Sequence, residues 1–172
     1  MPGSAEPTSP GHAGRADAVR LLVETGPSGR PVFENVPARD LGEGRWRLLA
    51  SPGLATGAAA GDTLAVAGDG GFTVTGRAGN VAVHVSAPAS AEERLGELTV
   101  QVKALGGWLD GRSHTRDAAY SFSVYTVPVK AGFPAIEEAF QSYAADVPDG
   151  QWTYANVFAD AEGSRPLNWW LG

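Results

Sequence analysis

The 172-residue chain has no cysteine, which excludes disulfides, thiolate nucleophiles and cysteine-based zinc sites in one step. Its stability has to come from packing. No apolar run approaches the roughly 20 residues a bilayer-spanning helix requires, so no membrane partner is expected and the cytoplasm is the default location. Histidine is scarce: of the three, His12 falls in the opening stretch, leaving His84 and His114 as candidates for proton transfer or metal ligation. No metal and no cofactor is therefore expected. Basic residues are in deficit, with a net charge of -6, and the deficit is local. Residues 18–77 carry six arginines against six acids, whereas residues 78–172 carry six basic residues against eleven acidic ones. An acidic surface repels phosphate backbones, which excludes nucleic acid as the expected partner.

What remains is the composition of a folded protein, 43% hydrophobic and 19% charged. Residues 1–17 are rich in Pro, Gly, Ser and Ala and lack a basic start followed by an apolar block, so they read as a disordered tail and not as a secretion signal. From Ala18 to Gly76 five short strands alternate with Gly-containing turns, among them Gly26-Pro-Ser-Gly29, Leu41-Gly-Glu-Gly44 and Ala67-Gly-Asp-Gly-Gly71. Five short strands suggest a small β-barrel-like unit over residues 18–77, because closure removes exposed edges.

From Asn80 to Phe158 the pattern is strand, helix, strand, strand, helix, strand. Val81-Ala-Val-His-Val85 opens it. A capping box of Ser90 and Glu93 starts a helix whose Leu95, Leu98, Val102 and Leu105 share one face, and Gly106-Gly107 ends it. Trp108-Leu109 begins a short strand, Asp110–Asp117 reads as a polar hairpin loop, and 118–127 returns as a long strand stopped by Pro128. A second helix is expected over 133–145, with Pro134 in its first turn, and a last strand over 151–158. The fold class is therefore α+β: the barrel-like unit, then a ferredoxin-like β-α-β-β-α-β sandwich over residues 78–160, with residues 161–172 packed on the body.

Ser51-Pro-Gly53, Ala60-Gly-Asp62, Arg77-Ala-Gly-Asn80 and the terminal Pro166-Leu-Asn-Trp-Trp170 together resemble the bacterial family catalogued as domain of unknown function 4265, over roughly residues 31–170. The resemblance implies a common fold and carries over no activity.

Three regions are candidates for function. Asp110-Gly-Arg-Ser-His-Thr-Arg-Asp117 gathers His114 with two carboxylates and two arginines, a set that suits acid–base work if His114 or His84 acts as base and Asp110 orients it. Strand alternation places Val81, Val83, Phe122, Val124, Ala155 and Val157 beneath the helices. It puts His84, Ser121, Ser123, Tyr125, Trp152, Tyr154 and Asn156 on the opposite, open face. An aromatic face of that size is seldom left wet, so it is covered by the first unit, by a second copy or by a ligand, for which His84 and Tyr125 would handle protons. Trp169 and Trp170 either dock internally or anchor a partner. Asp62, next to Gly61, reads as turn chemistry. The leading functional expectation is a non-catalytic protein-binding or regulatory module whose partner is another protein or itself. The alternatives are a small enzyme or ligand-binding protein using the open face, and a homo-oligomeric scaffold.

Overall fold

The computed structural model describes residues 17–172, so the tail expected at 1–17 lies outside the described residues except for Asp17. Two antiparallel sheets form the frame. The first contains β1 (Ala18–Thr25), β2 (Pro31–Gly42), β3 (Arg45–Leu48), β4 (Thr63–Val66) and β5 (Phe72–Gly76), each paired with the next in chain order. β2 is long because it serves two neighbours: Pro31–Pro37 pairs with β1, and Ala38 to Gly42 pairs with β3. The changeover falls at Pro37, which has no N–H to give a ladder. The sheet curls but stays open, and this corrects the barrel expectation. Closure needs a ladder between first and last strands. Here, among the described residues, one backbone bond, Leu22 N–H to Gly70 O at 2.8 Å, ties β1 to the β4–β5 turn.

The second sheet contains β6 (Asn80–Pro88), β7 (Trp108–His114), β8 (Tyr120–Pro128) and β9 (Gln151–Tyr154), in the spatial order β7-β8-β6-β9. Helix α1 (Glu92–Ala104) connects β6 to β7, and α2 (Phe133–Asp146) connects β8 to β9. Apolar spacing places Leu95, Leu98 and Val102 of α1 and Ile136, Ala139, Phe140 and Tyr143 of α2 in the core. The Ser90–Glu93 capping box does not form. A 3₁₀ turn over Ala89–Ala91 runs straight into α1, so Ala91 holds the cap position and makes no side-chain bond there. β7 extends through Asp110 to His114, so most of the expected hairpin loop is strand. β9 is shorter than expected, because the chain turns away after Tyr154.

Cross-strand register decides which side chains lie under the helices. Val83 stands opposite Tyr125 of β8 and Tyr154 of β9, while Val85 stands opposite Ser123 and Trp152. Directly opposed residues share a face. Ser121, Ser123, Tyr125, Trp152 and Tyr154 therefore lie on the helix side with the valines, the reverse of the expected alternation. Tyr125 is fully buried with its ring 5.9 Å from Phe140, Trp152 is 5.5 Å from Phe140, and Tyr154 is 5.8 Å from Phe133. Phe122 and Val124, expected beneath the helices, fall on the other face with His84. The cause is that both faces are buried: Val81 to Val85 is buried on either parity. Where neither side meets water, hydrophobic alternation loses its power to assign a face.

The second burying surface is the connection between β3 and β4. Ala55 and Ala58 pack into the core of the first sheet with Leu21, Val36 and Leu64, while Ala59 packs against Ala82 and Ala155 of the second sheet. Alanines suit this layer because a segment lying between two sheets has room for little more than Cβ atoms.

Candidate functional site

The segment from Ser51 to Asp62 is held to both sheets by polar groups that leave few of its backbone donors idle. Glu34 of β2 accepts three N–H groups, from Gly53 at 2.6 Å and from Leu54 and Ala55 at 2.9 Å each. Asp62 has no accessible surface and accepts from the N–H groups of Ala59 (3.0 Å) and Ala78 (2.9 Å) and from Arg77 Nη1 (3.2 Å). Burial pushes its carboxyl above the ordinary value, against the pull of those donors. Arg77 also donates to Gly57 O at 2.7 Å. Gly61 has φ +87°, and a Cβ there would lie 2.6 Å from the Ala78 Cβ, so only glycine lets the two segments touch. Asn80 donates to Ala60 O at 2.8 Å. Asn156 accepts from Ala82 N–H at 2.9 Å and donates to Asn80 O at 2.8 Å, and Trp169 Nε1 donates to Asn156 O at 2.7 Å.

A second chain of bonds crosses the same joint. The Ala60 N–H donates to Ser51 Oγ at 2.9 Å, and Ser51 Oγ lies 2.6 Å from Thr126 Oγ1 of β8. Thr126 donates to Asp110 Oδ2 at 2.5 Å, and Trp108 Nε1 donates to Asp110 Oδ1 at 2.9 Å. With the Thr126 proton committed to the carboxylate, Ser51 is the donor in its pair with Thr126. Burial raises the Asp110 carboxyl, and the Thr126 and Trp108 bonds oppose that shift. Asp110 reaches this network because it is the extra residue of a bulge between Leu109 and Gly111, which re-aims a side chain that plain alternation would place elsewhere.

His84 lies on the joint face, where its Nε2–H donates to Pro52 O at 2.8 Å and its ring meets Phe122 edge-on at 5.3 Å. Burial lowers its basicity. Tyr125 donates to Thr99 Oγ1 at 2.9 Å beneath the helices. The groups expected to cooperate are therefore separated. His84 faces the joint and Tyr125 the opposite layer. His114 is exposed at the end of β7, where it lines a small pocket with Glu92 and Arg112, while Asp110 lines a different cleft with Glu34 and Ser51. Asn156 is sealed in the joint, and Trp170 stacks edge-on to Phe133 at 5.1 Å. Glu34, Ser51 and Thr126, which hold the joint together with Asp62, are not among the candidate residues of the sequence. Ser51 appears only inside a family motif, and nothing in the flanking sequence marks the other two.

Two clefts border the joint. One, of about 370 Å³, lies between the sheets and contains Asp110, Arg112, Glu34 and Ser51. The other, of about 520 Å³, follows β9 and is bounded by Thr56, His84, Trp152–Ala155 and the loop 158–163. Among the described residues no group of three His, Cys, Asp or Glu side chains is placed to hold a metal ion, and no helix is long and apolar enough to cross a membrane.

Comparison with solved structures gives a hypothetical protein from Neisseria gonorrhoeae at TM-score 0.59 and 13% identity, covering 84% of this chain and 96% of that one. At that identity the likeness is one of fold. A formyltetrahydrofolate deformylase from Pseudomonas syringae pv. tomato str. DC3000 aligns over 44% of this chain and 27% of its own, at 15% identity and TM-score 0.34, too slight an overlap to carry an argument. No curated protein matches the chain. Residues 34–154 match the family described as Domain of unknown function (DUF4265), a span that starts at the Glu34 latch and ends with β9. The chain belongs to the DUF4265 family.

Proposed function

We propose that the protein is a non-catalytic protein-binding or regulatory module of the cytoplasm, acting on another protein and not on nucleic acid or a membrane. In this reading it is built from two units, residues 18–77 and 78–160, with residues 161–172 packed on the body. The second unit is ferredoxin-like, a reading supported by its element order, the strand order β7-β8-β6-β9 and the two helices on one face.

The observation that carries the non-catalytic reading is how the acid–base groups are spent. Among the described residues no fully buried side-chain nitrogen or oxygen lacks a hydrogen-bond partner. The carboxylates of Asp62 and Asp110, the Nε2 of His84 and the hydroxyl of Tyr125 all bond to groups within the joint or the core. A general acid or base must have its titrating atom within reach of a substrate proton, and these are committed to the fold. The acidic surplus of residues 78–172 favours a protein partner with basic character.

The test is affinity capture from the native cell, followed by reconstitution of each captured protein with the purified chain and measurement of molar mass by light scattering. A stoichiometric complex is expected. The reading fails if no captured protein gives one. It also fails if the purified chain consumes a component of a cell metabolite extract and Asp110→Asn abolishes that consumption.

A further inference from the structure

The two sheets have four outer strands, and three carry a bulge. β1 has an extra residue at Val23, β5 at Thr75 and β7 at Asp110, each visible as a register shift against its neighbour. Bulges twist and interrupt an edge, one of the devices by which proteins prevent other chains from pairing there. β9 differs. Its four residues pair with β6 in unbroken register, from Val83 opposite Tyr154 to Ser86 opposite Gln151.

The direction of its free bonding groups follows from that register. Ala155 N–H donates to Ala82 O, so 82 and 155 face each other through the ladder, as do 84 with 153 and 86 with 151. Trp152 and Tyr154 accordingly present N–H and C=O away from β6. Neither has a backbone partner on that side among the described residues, and Tyr154 O accepts a long bond from the Thr153 hydroxyl at 3.3 Å. This edge does not open on bulk solvent alone. It forms one wall of the 520 Å³ cleft, whose other wall is the loop 158–163.

The cleft also has a sign. Among the described residues, Asp160 and Glu162 are its two acidic lining groups and no Lys or Arg lines it. Asp160 is occupied by Ser164 and Arg165 within its own turn, but Glu162 has no ion-pair partner among the described residues. A second copy adding its own β9 would bring Glu162 against Glu162, so self-pairing is disfavoured. A cationic strand meets no such penalty.

Resting on the protein-binding reading above, we infer that β9 is a β-augmentation site: an extended segment of a partner protein, carrying arginine or lysine, pairs with the backbone of Trp152 and Tyr154 and places its cation beside Glu162. Main-chain bonds supply register and the carboxylate selects charge. A four-residue strand spans about 13 Å at about 3.3 Å per residue, which suits a short linear motif.

The test uses the full chain and a fluorescein-labelled heptapeptide, acetyl-Thr-Val-Arg-Val-Arg-Val-Thr-amide, beside two relatives: one with both arginines changed to glutamate, and one N-methylated at alternate amides. In ¹H–¹⁵N spectra the arginine peptide is expected to shift the outward Trp152 and Tyr154 amides and leave the ladder-bonded Thr153 amide nearly in place. By anisotropy it should bind about fivefold more tightly than the glutamate peptide, the range of exposed charge pairs, and the N-methylated peptide should not bind. Glu162→Lys, an exposed substitution, should abolish or reverse the charge preference. The site assignment is overturned if the shifts map elsewhere, if N-methylation has no effect, if Glu162→Lys leaves the preference unchanged, or if the protein dimerises through β9. A reconstituted partner complex that leaves the β9 amides untouched overturns this site and leaves the binding reading standing. Peptide binding at β9 with no partner complex does the opposite.

Discussion

Replacing Asp62 with alanine tests whether the joint between the sheets is the principal stabilising contact outside the two cores. The substitution removes one acceptor group that serves three donors: Ala59 N–H, Ala78 N–H and Arg77 Nη1. Leaving a buried donor unpaired costs about 1–3 kcal/mol, and removing one partner of a buried ion pair costs about 3–5 kcal/mol. These costs are not additive. Arg77 is partly exposed and keeps its bond to Gly57 O, so its charge is not stranded. The variant is also spared the desolvation that raises the Asp62 carboxyl. A net loss of about 3 kcal/mol follows, and at about 2–4 °C per kcal/mol for a chain of this size Tm should fall by roughly 10 °C. Asp62→Asn, which keeps one acceptor oxygen but turns an NH₂ toward the remaining donors, should lose about half as much. Urea midpoints with calorimetry measure both. A loss below about 1 kcal/mol for Asp62→Ala would refute the argument, because three donors cannot then depend on that carboxylate.

The other predictions concern single contacts. A Cβ at Gly107 would lie 2.4 Å from Thr126 O and 3.1 Å from Val127 Cα, both backbone atoms, so Gly107→Ala should cost about 2–3 kcal/mol in urea unfolding; an unchanged midpoint would mean that the turn after α1 can retreat from β8. Burial lowers the His84 pKa below its unfolded value of 6.5, so in the window below pH 6.5 the unfolded chain binds the extra proton and stability falls as pH falls. His84→Gln keeps a donor for Pro52 O and removes the titration, so its urea midpoint should vary less than the wild type's as pH falls below 6.5; equal slopes would place the acid sensitivity elsewhere. Truncation before Asn168 removes Trp169, with its bond to Asn156 O, and Trp170, packed on Phe133. Each half-buried indole is worth about 1–2 kcal/mol, so calorimetry should show a drop of several degrees in Tm, whereas an unchanged Tm would show that the tail adds no packing, and lost association beside it would make the tail a partner anchor.

The elements were largely legible in the sequence and their orientation was not. Both helices, the five-strand count of the first sheet and the order of the second follow from apolar spacing and from glycine-rich turns. The barrel did not form because strand count says nothing about a ladder between first and last strands. The face assignment failed at β8, where Phe122 and Val124 are more apolar than Ser121 and Ser123. Hydrophobicity therefore pointed Phe122 and Val124 toward the helices, whereas the pairing of Val83 with Tyr125 puts them on the joint. Bulges are equally silent in sequence: nothing around Asp110 shows that it is an extra residue, and its place in the Thr126–Ser51 chain depends on that.

The motifs that resemble the family gather at one place in the fold. Ser51 bonds Thr126, Pro52 receives His84, and Gly53 is gripped by Glu34. Gly61 and Asp62 meet Ala78 and Arg77, Asn80 and Asn156 lock Ala60 and Ala82, and Trp169 closes on Asn156. Most of these residues serve the docking of the first sheet onto the second, and Asn156 and Trp169 brace the second sheet beside it. Among the described residues the fully buried side-chain polar atoms of this joint are all paired, so on the protein-binding proposal these residues are structural. On the protein-binding proposal, residues that select a partner should therefore lie outside the motifs, on surfaces the joint only positions. The β9 edge and the loop 158–163 are such a surface, set in place by Ala155 and Asn156 at one end and by the Leu167 N–H bond to Val157 O at the other. Exchanging 158–163 between two members of the family should then transfer partner preference without disturbing the fold, whereas exchanging 51–62 should disturb the fold first.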